Sequence, residues 1–257
     1  MKAIEQLLET MASLRDLQNG CAWVSRQTMA SILPFTLEEI YELMAAVEEE
    51  DEAEIRDELS DLLYHVVYYA AIAREAGMFD FDDIADHARQ KQIRRHPHVF
   101  SPTELNTADA VQGVEWERRK RDERTGNDLL GGVNLSQPAL IAAVKLQKRA
   151  AAVGFDWPNV APVLDKIEEE IREVRQELQS GADLRDLEEE IGDLLFSVVN
   201  AARHAGCEPE AALRRANRKF IRRFRHIETA LQEHGRSLEE ATMEEMEALW
   251  QEAKKTE

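Results

Sequence analysis

The landmarks of this sequence run through once and then begin again in the same order. Gly20-Cys-Ala-Trp23 returns as Gly154-Phe-Asp-Trp157, and Glu38-Glu39-x-x-Glu42 returns as Glu169-Glu170-x-x-Glu173. Glu58-x-x-Asp61-Leu-Leu-Tyr64 matches Glu190-x-x-Asp193-Leu-Leu-Phe196, Lys91-x-x-Arg94-Arg95 matches Lys219-x-x-Arg222-Arg223, and Trp116 matches Trp250. One such match arises easily in an acidic chain, whereas five in order mark a structural unit written twice. The 257 residues suffice for two compact units. Gly126, Gly131, Gly132, Asn134, Ser136 and Pro138 cluster between helical patterns, so the boundary is placed there. The expected division is an N-terminal domain 1–125, a linker 126–138 and a C-terminal domain 139–257.

Each unit reads as all-α. Apolar residues recur with helical spacing, as in Leu164, Ile167, Ile171, Val174 and Leu178, and no stretch alternates with period two. Glycine and proline are sparse at 11 and 7, and charged residues make up 32%, a composition that favours helices over sheets. The formal net charge of −19 repels polyanions, which argues against nucleic acid and anionic lipid as partners. An anionic ligand therefore needs a local basic patch or a bridging cation. Cys21 and Cys207 are far apart and outside any Cys-x-x-Cys spacing, so neither a disulfide framework nor a zinc knuckle is expected. The longest nonpolar stretch, Val66 to Ala73, is too short to span a bilayer, and a cytoplasmic protein is the expectation.

The duplicated acids have a spacing that makes a site. Residues three or four apart share a helix face, so Glu39 with Glu42, Glu58 with Asp61, Glu170 with Glu173, and Glu190 with Asp193 each form a two-carboxylate ledge. A turn near Ser180 and Gly181 would fold the second pair of ledges into a hairpin with Glu170 level with Asp193 and Glu173 level with Glu190. A turn near Glu50 would do the same in the first copy. Four carboxylates at one level repel unless a cation sits among them, and all-oxygen ligation favours magnesium, with manganese as the alternative. Two plainer readings compete. The acidic run Glu48 to Glu54 is a solvated face, and Thr36-Leu-Glu-Glu39 fits a capping box at a helix start.

The basic residues and tryptophans point to the ligand. Lys219, Arg222 and Arg223 suit phosphate oxygens, although a basic helix face is also an ordinary solvated surface. Trp23, Trp116, Trp157 and Trp250 fit a core role, yet Trp116 and Trp250 recur at the end of each repeat as possible stacking surfaces for a base. His65, one turn after Asp61, reads as a core-edge residue. No Gly-x-x-x-x-Gly-Lys-Ser/Thr loop, Gly-x-Ser-x-Gly elbow or Glu-x-x-His iron signature is present.

With Arg94-Arg-His-Pro-His-Val-Phe100 added, the doubled Glu-Glu-x-x-Glu and Glu-x-x-Asp pattern resembles the MazG nucleoside triphosphate pyrophosphohydrolases over almost the whole chain. The resemblance implies tandem four-helix-bundle-like domains completed by homodimerisation. It also implies magnesium-dependent hydrolysis of nucleoside triphosphates, ATP included, to monophosphate and pyrophosphate, with broad specificity and a house-cleaning role. Carried over residue by residue, Glu170, Glu173, Glu190 and Asp193 would bind magnesium in the second domain, and Glu39, Glu42, Glu58 and Asp61 are the matching positions of the first. Lys219 and Arg223 would hold phosphates, Trp250 would pack on the nucleoside, and Glu169 or Glu189 would orient the attacking water.

The copies are unequal. Lys166 stands one turn before Glu170, where the first copy has Phe35, and Asn200 stands two turns after Asp193, where the first copy has Tyr68. The first copy also reads Gly20-Cys-Ala-Trp-Val24 where the family usually has Gly-Cys-Pro-Trp-Asp. These differences make the second domain the expected main catalytic site. Two competing classes are a noncatalytic nucleotide- or metal-binding dimerisation module and a nucleic-acid binder using Arg214 to Arg225; net charge argues against the latter.

Overall fold

A computed structural model of the protein describes residues 3–100, 128–181 and 183–255. These are all helix, turn or loop, with no strand among the described residues. The chain divides into two compact units, Met1–Asn106 and Thr107–Glu257.

In the first unit, α1 spans Ala3–Leu14, α2 Met29–Glu49, α3 Glu52–Glu75 and α4 Phe81–Arg95, with a 3-10 turn at Val24–Arg26 and a single helical turn at Pro97–Phe100. The i, i+3, i+4 spacing of Ile4, Leu7, Leu8, Met11 and Leu14 gives α1 one apolar face. That face meets Val67, Tyr68 and Ala71 of α3, with Val24 and Ile32 closing the cluster. Thr28 and Ser31 cap the start of α2 reciprocally. The helix therefore begins well before Thr36, which removes the capping-box explanation of Glu39. Instead, the Thr36 hydroxyl lies 2.8 Å from that of Tyr69. Glu50 ends α2 in the left-handed region at φ 57°, and the Asp51 carboxylate accepts from the amides of Ala53 and Glu54 to start α3.

In the second unit, α5 spans Ala139–Ala151, α6 Val160–Ser180, α7 Leu184–His204, α8 Pro209–Glu233 and α9 Met243–Lys255, with a 3-10 turn at Leu238–Glu240. The α6–α7 hairpin turns at Gly181, φ 68°, and Asp183 caps α7 through the amides of Arg185 and Asp186. Helices α5 and α8 pack on α7, and α9 packs on α8. Ala142, Val163, Val199, Ile227, Leu231 and Ala253 are buried between them. Residues Leu130 to Gly132, read from sequence as linker, lie against α5: buried Arg149 donates to all three of their carbonyls at 2.7–3.3 Å. Both hairpins leave an apolar stripe exposed, formed on α7 by Leu184, Ile191, Leu195 and Val198. No described helix is long and apolar enough to cross a membrane.

Candidate metal centre

The hairpins bring the ledges together as their spacing requires. In the second unit, carboxylate oxygens of Glu170, Glu190 and Asp193 lie within 4.8 Å of one another. Glu170 is buried at 3% exposure, whereas Asp193 opens to solvent. Glu173 joins through a hydrogen bond shared with Glu170. Burial raises the Glu173 carboxyl above its ordinary range, and the charge of Glu170 adds to the effect. Burial likewise raises Glu190, with Glu170 and Asp193 as its nearest repelling charges.

The first unit repeats the pattern with Glu39, Glu58 and Asp61 within the same 4.8 Å. Glu42 lies outside that tight set, yet its charge acts on both Glu39 and Glu58. Glu58 is pushed up to about 7, first by desolvation and then by Glu42, Glu39 and Asp61. Its Oε2 is buried with no hydrogen-bond partner. Carboxylates crowded this closely repel one another and present the hard oxygen donors that a divalent cation would neutralise. His65 is buried beside this set, and desolvation lowers its imidazole while Asp61 pulls the other way.

The units differ one turn before the ligands. Lys166 Nζ lies 2.6 Å from Glu169 and 2.7 Å from Glu170, so the ammonium is held firmly charged and the Glu169 carboxyl sits below its ordinary range. Phe35, at the matching place, packs edge-on against Trp23 with ring centroids 6.0 Å apart. Glu189 points outward and pairs with exposed Arg185 at 3.4 Å.

The remaining candidate residues form separate groups. Lys219 and Arg222 are exposed on α8. Arg223 places its guanidinium carbon 5.4 Å from the Trp250 ring, and that ring lies 5.3 Å from Phe220. Asn200 accepts from Arg203 at 2.7 and 3.1 Å, two turns along α7 from Asp193. Trp23 and Trp157, which sequence alone would assign to the core, are 55% and 48% exposed. Trp116 lies outside the described residues.

One cluster was not foreseen. Asp156 pairs with Arg203 and with His204. Burial opposes the Asp156 charge, but Arg203 and His204 hold its carboxyl below the ordinary range. The available signal was the Gly-Phe-Asp-Trp turn itself, whose Asp156 stands where the first copy has Ala22.

The family model for the MazG nucleotide pyrophosphohydrolase domain matches residues 27–100 and again 160–228, one match over each pair of ledges. The chain belongs to the MazG family. Among its MazG relatives, the nucleoside triphosphate pyrophosphohydrolase of Escherichia coli (strain K12) is 46% identical over 261 residues, covering 100% of this chain and 99% of the relative. The nucleoside triphosphate pyrophosphohydrolase/pyrophosphatase MazG of Thermotoga maritima is 40% identical over 252 residues, covering 97% and 95%. YabN, an uncharacterised protein of Bacillus subtilis, is 41% identical over 95% of this chain and 50% of its own length. Both matched MazG segments contain their whole acidic set, and the second also contains Asn200, Lys219, Arg222 and Arg223.

Proposed function

We propose that this MazG chain hydrolyses nucleoside triphosphates to nucleoside monophosphate and pyrophosphate, with magnesium or manganese held by Glu170, Glu173, Glu190 and Asp193. The observation that carries this reading is the α6–α7 carboxylate set, three of whose oxygens lie within 4.8 Å around buried Glu170. When bound, the ion supplies positive charge against the phosphate chain and activates water. The protein's own groups do the positioning. Lys166 steers Glu170 and leaves Glu169 ionised, so Glu169 can orient a water by accepting its hydrogen bond. Glu189 is the alternative acceptor. Lys219, Arg222 and Arg223 hold phosphate oxygens, and Trp250 borders the nucleoside. Residues 1–125 and 139–257 are read as the two functional units, the Leu130–Gly132 part of the intervening 126–138 being held against the second by Arg149, and Glu39, Glu42, Glu58 and Asp61 as a second, weaker metal set. Broad base tolerance in a cytoplasmic house-cleaning role completes the reading; two exposed, unbridged cysteines suit a reducing compartment.

The exposed stripe of α7 supports a homodimer that covers it, which sedimentation equilibrium would register as twice 29.4 kDa. The catalytic test is release of pyrophosphate from a panel of triphosphates, read as phosphate after adding inorganic pyrophosphatase, with and without magnesium. Glu173→Ala is expected to bring release to background, and Glu42→Ala only to reduce it. Full and equal losses from both would refute the assignment of the chemistry to the second unit.

A further inference from the structure

Helix α9 carries Trp250, yet of its 13 residues only Ala253 is buried. Its packing is on α8. Burial is what ordinarily fixes how one helix lies on another, so a helix with so thin an apolar grip needs another constraint on its direction. Arg236, between the two helices, supplies one. Gly235 closes α8 at φ 65°, and the Arg236 amide returns to the Leu231 carbonyl at 3.0 Å, which fastens the backbone of the arginine to α8. Its side chain reaches the other way. The guanidinium donates to both Glu245 oxygens, at 2.9 and 3.0 Å, and to the Glu240 carbonyl at 2.7 Å. Glu245 also accepts from the Thr242 amide at 2.9 Å, and its own amide donates to the Thr242 hydroxyl at 3.3 Å. The residue that grips Arg236 therefore also caps α9. Arg236, helped by the Thr242 amide, holds the Glu245 carboxyl down to about 2. Exposed ion pairs are weak singly, but a two-pronged arginine–carboxylate pair with a third bond to backbone fixes an orientation.

We infer that Arg236 is a positioning residue for Trp250: by tying the end of α8 to the first turn of α9, it sets where the ring meets the nucleoside. The inference rests on the reading of Trp250 given above. The ring lies 5.3 Å from Phe220 and 5.4 Å from the Arg223 guanidinium, both on α8, so the angle between α8 and α9 decides its place beside a ligand that Arg223 holds. Trp250 follows Glu245 by five residues. That is ~7.5 Å along the helix, so a tilt of roughly 10° at the clamp moves the ring by about 1 Å, enough to spoil a ligand contact. Arg236 acts through Trp250 and leaves the acidic set on α6 and α7 untouched.

The test uses the full-length protein labelled with 5-fluorotryptophan, as wild type, Arg236→Gln, Arg236→Lys and Trp250→Ala. Trp250→Ala identifies the Trp250 line among the four tryptophan resonances. Arg236→Gln should shift or broaden that line and leave the other three in place, with helix content unchanged by circular dichroism. It should raise the KM for nucleoside triphosphates by roughly fivefold and keep kcat within about twofold. The inhibition constant of inorganic tripolyphosphate, which has no nucleoside, should not move. Arg236→Lys keeps the charge and loses the fork, so its KM should fall between those of wild type and Arg236→Gln. An unchanged KM in Arg236→Gln beside a raised KM in Trp250→Ala overturns the inference and keeps the reading of the ring. A fall in kcat with loss of helix content overturns it too, making the clamp a support of the fold alone. If Trp250→Ala leaves KM unchanged, the reading of Trp250 fails instead, and the fluorine line still tells whether Arg236 sets the ring.

Discussion

At the scale of single residues, Tyr68 and Asn200 mark one clear difference between the repeats. Both follow the aspartate of their acidic set, Asp61 or Asp193, by two turns on the same kind of helix. Tyr68 turns its ring into the core, where the Arg15 guanidinium lies 5.3 Å from the centroid and Glu75 grips that guanidinium at 2.6 and 2.7 Å. Arg15 also donates to the Val24 carbonyl that accepts from the Tyr68 hydroxyl, so one carbonyl anchors two side chains. Removing the hydroxyl in Tyr68→Phe leaves Arg15 on that carbonyl. A loss of only ~1 kcal/mol is therefore expected, measured as the shift in urea-unfolding free energy. A loss several times larger would mean that the hydroxyl, and not the guanidinium, organises the turn at Val24.

At the scale of elements, the hairpin is what turns sequence spacing into a site. Its turn is sharp in both units, yet the left-handed residue is Gly181 in one and Glu50 in the other. A side chain at φ 57° is strained, so Glu50→Gly should stabilise the first unit by about 1 kcal/mol, read from thermal or urea melts, with no change in far-UV helix content. Both turns, the two ledges and the equivalence of Glu170 and Asp193 across the hairpin were legible in the sequence, because helix periodicity and turn residues are local signals. The true start of α2 was not. Thr28 with Ser31 is a weaker pattern to the eye than Thr36 with Glu39, and it prevails because Ile32 must reach the buried cluster.

At the scale of the molecule, two crowded acidic centres make stability depend on pH and cation together. Glu58 has a folded value of about 7 against an ordinary 4.5, and a raised value means that the folded state binds the proton more tightly than the unfolded one. The stabilisation is complete below 4.5 and disappears as pH rises through 7. Glu39, Glu173 and Glu190 are shifted the same way. Metal-free protein should therefore melt at lower temperature as pH is raised across that interval. Magnesium should restore the melting temperature at pH 8 and have little effect at pH 4.5, in calorimetric scans with the ion or with chelator. A magnesium effect of equal size at both pH values would show that the carboxylates are not where the cation binds.

Buried Arg149 has a bearing on how such a protein can be taken apart. By reaching back to the carbonyls of Leu130, Gly131 and Gly132, it makes the stretch just before α5 a foundation of the second unit and not a free tether. A cut placed at Ala139, where the helices visibly begin, would discard three acceptors of a guanidinium that is 7% exposed. The seam at which the repeats can be separated, by protease or by recombinant truncation, therefore lies ahead of Leu130.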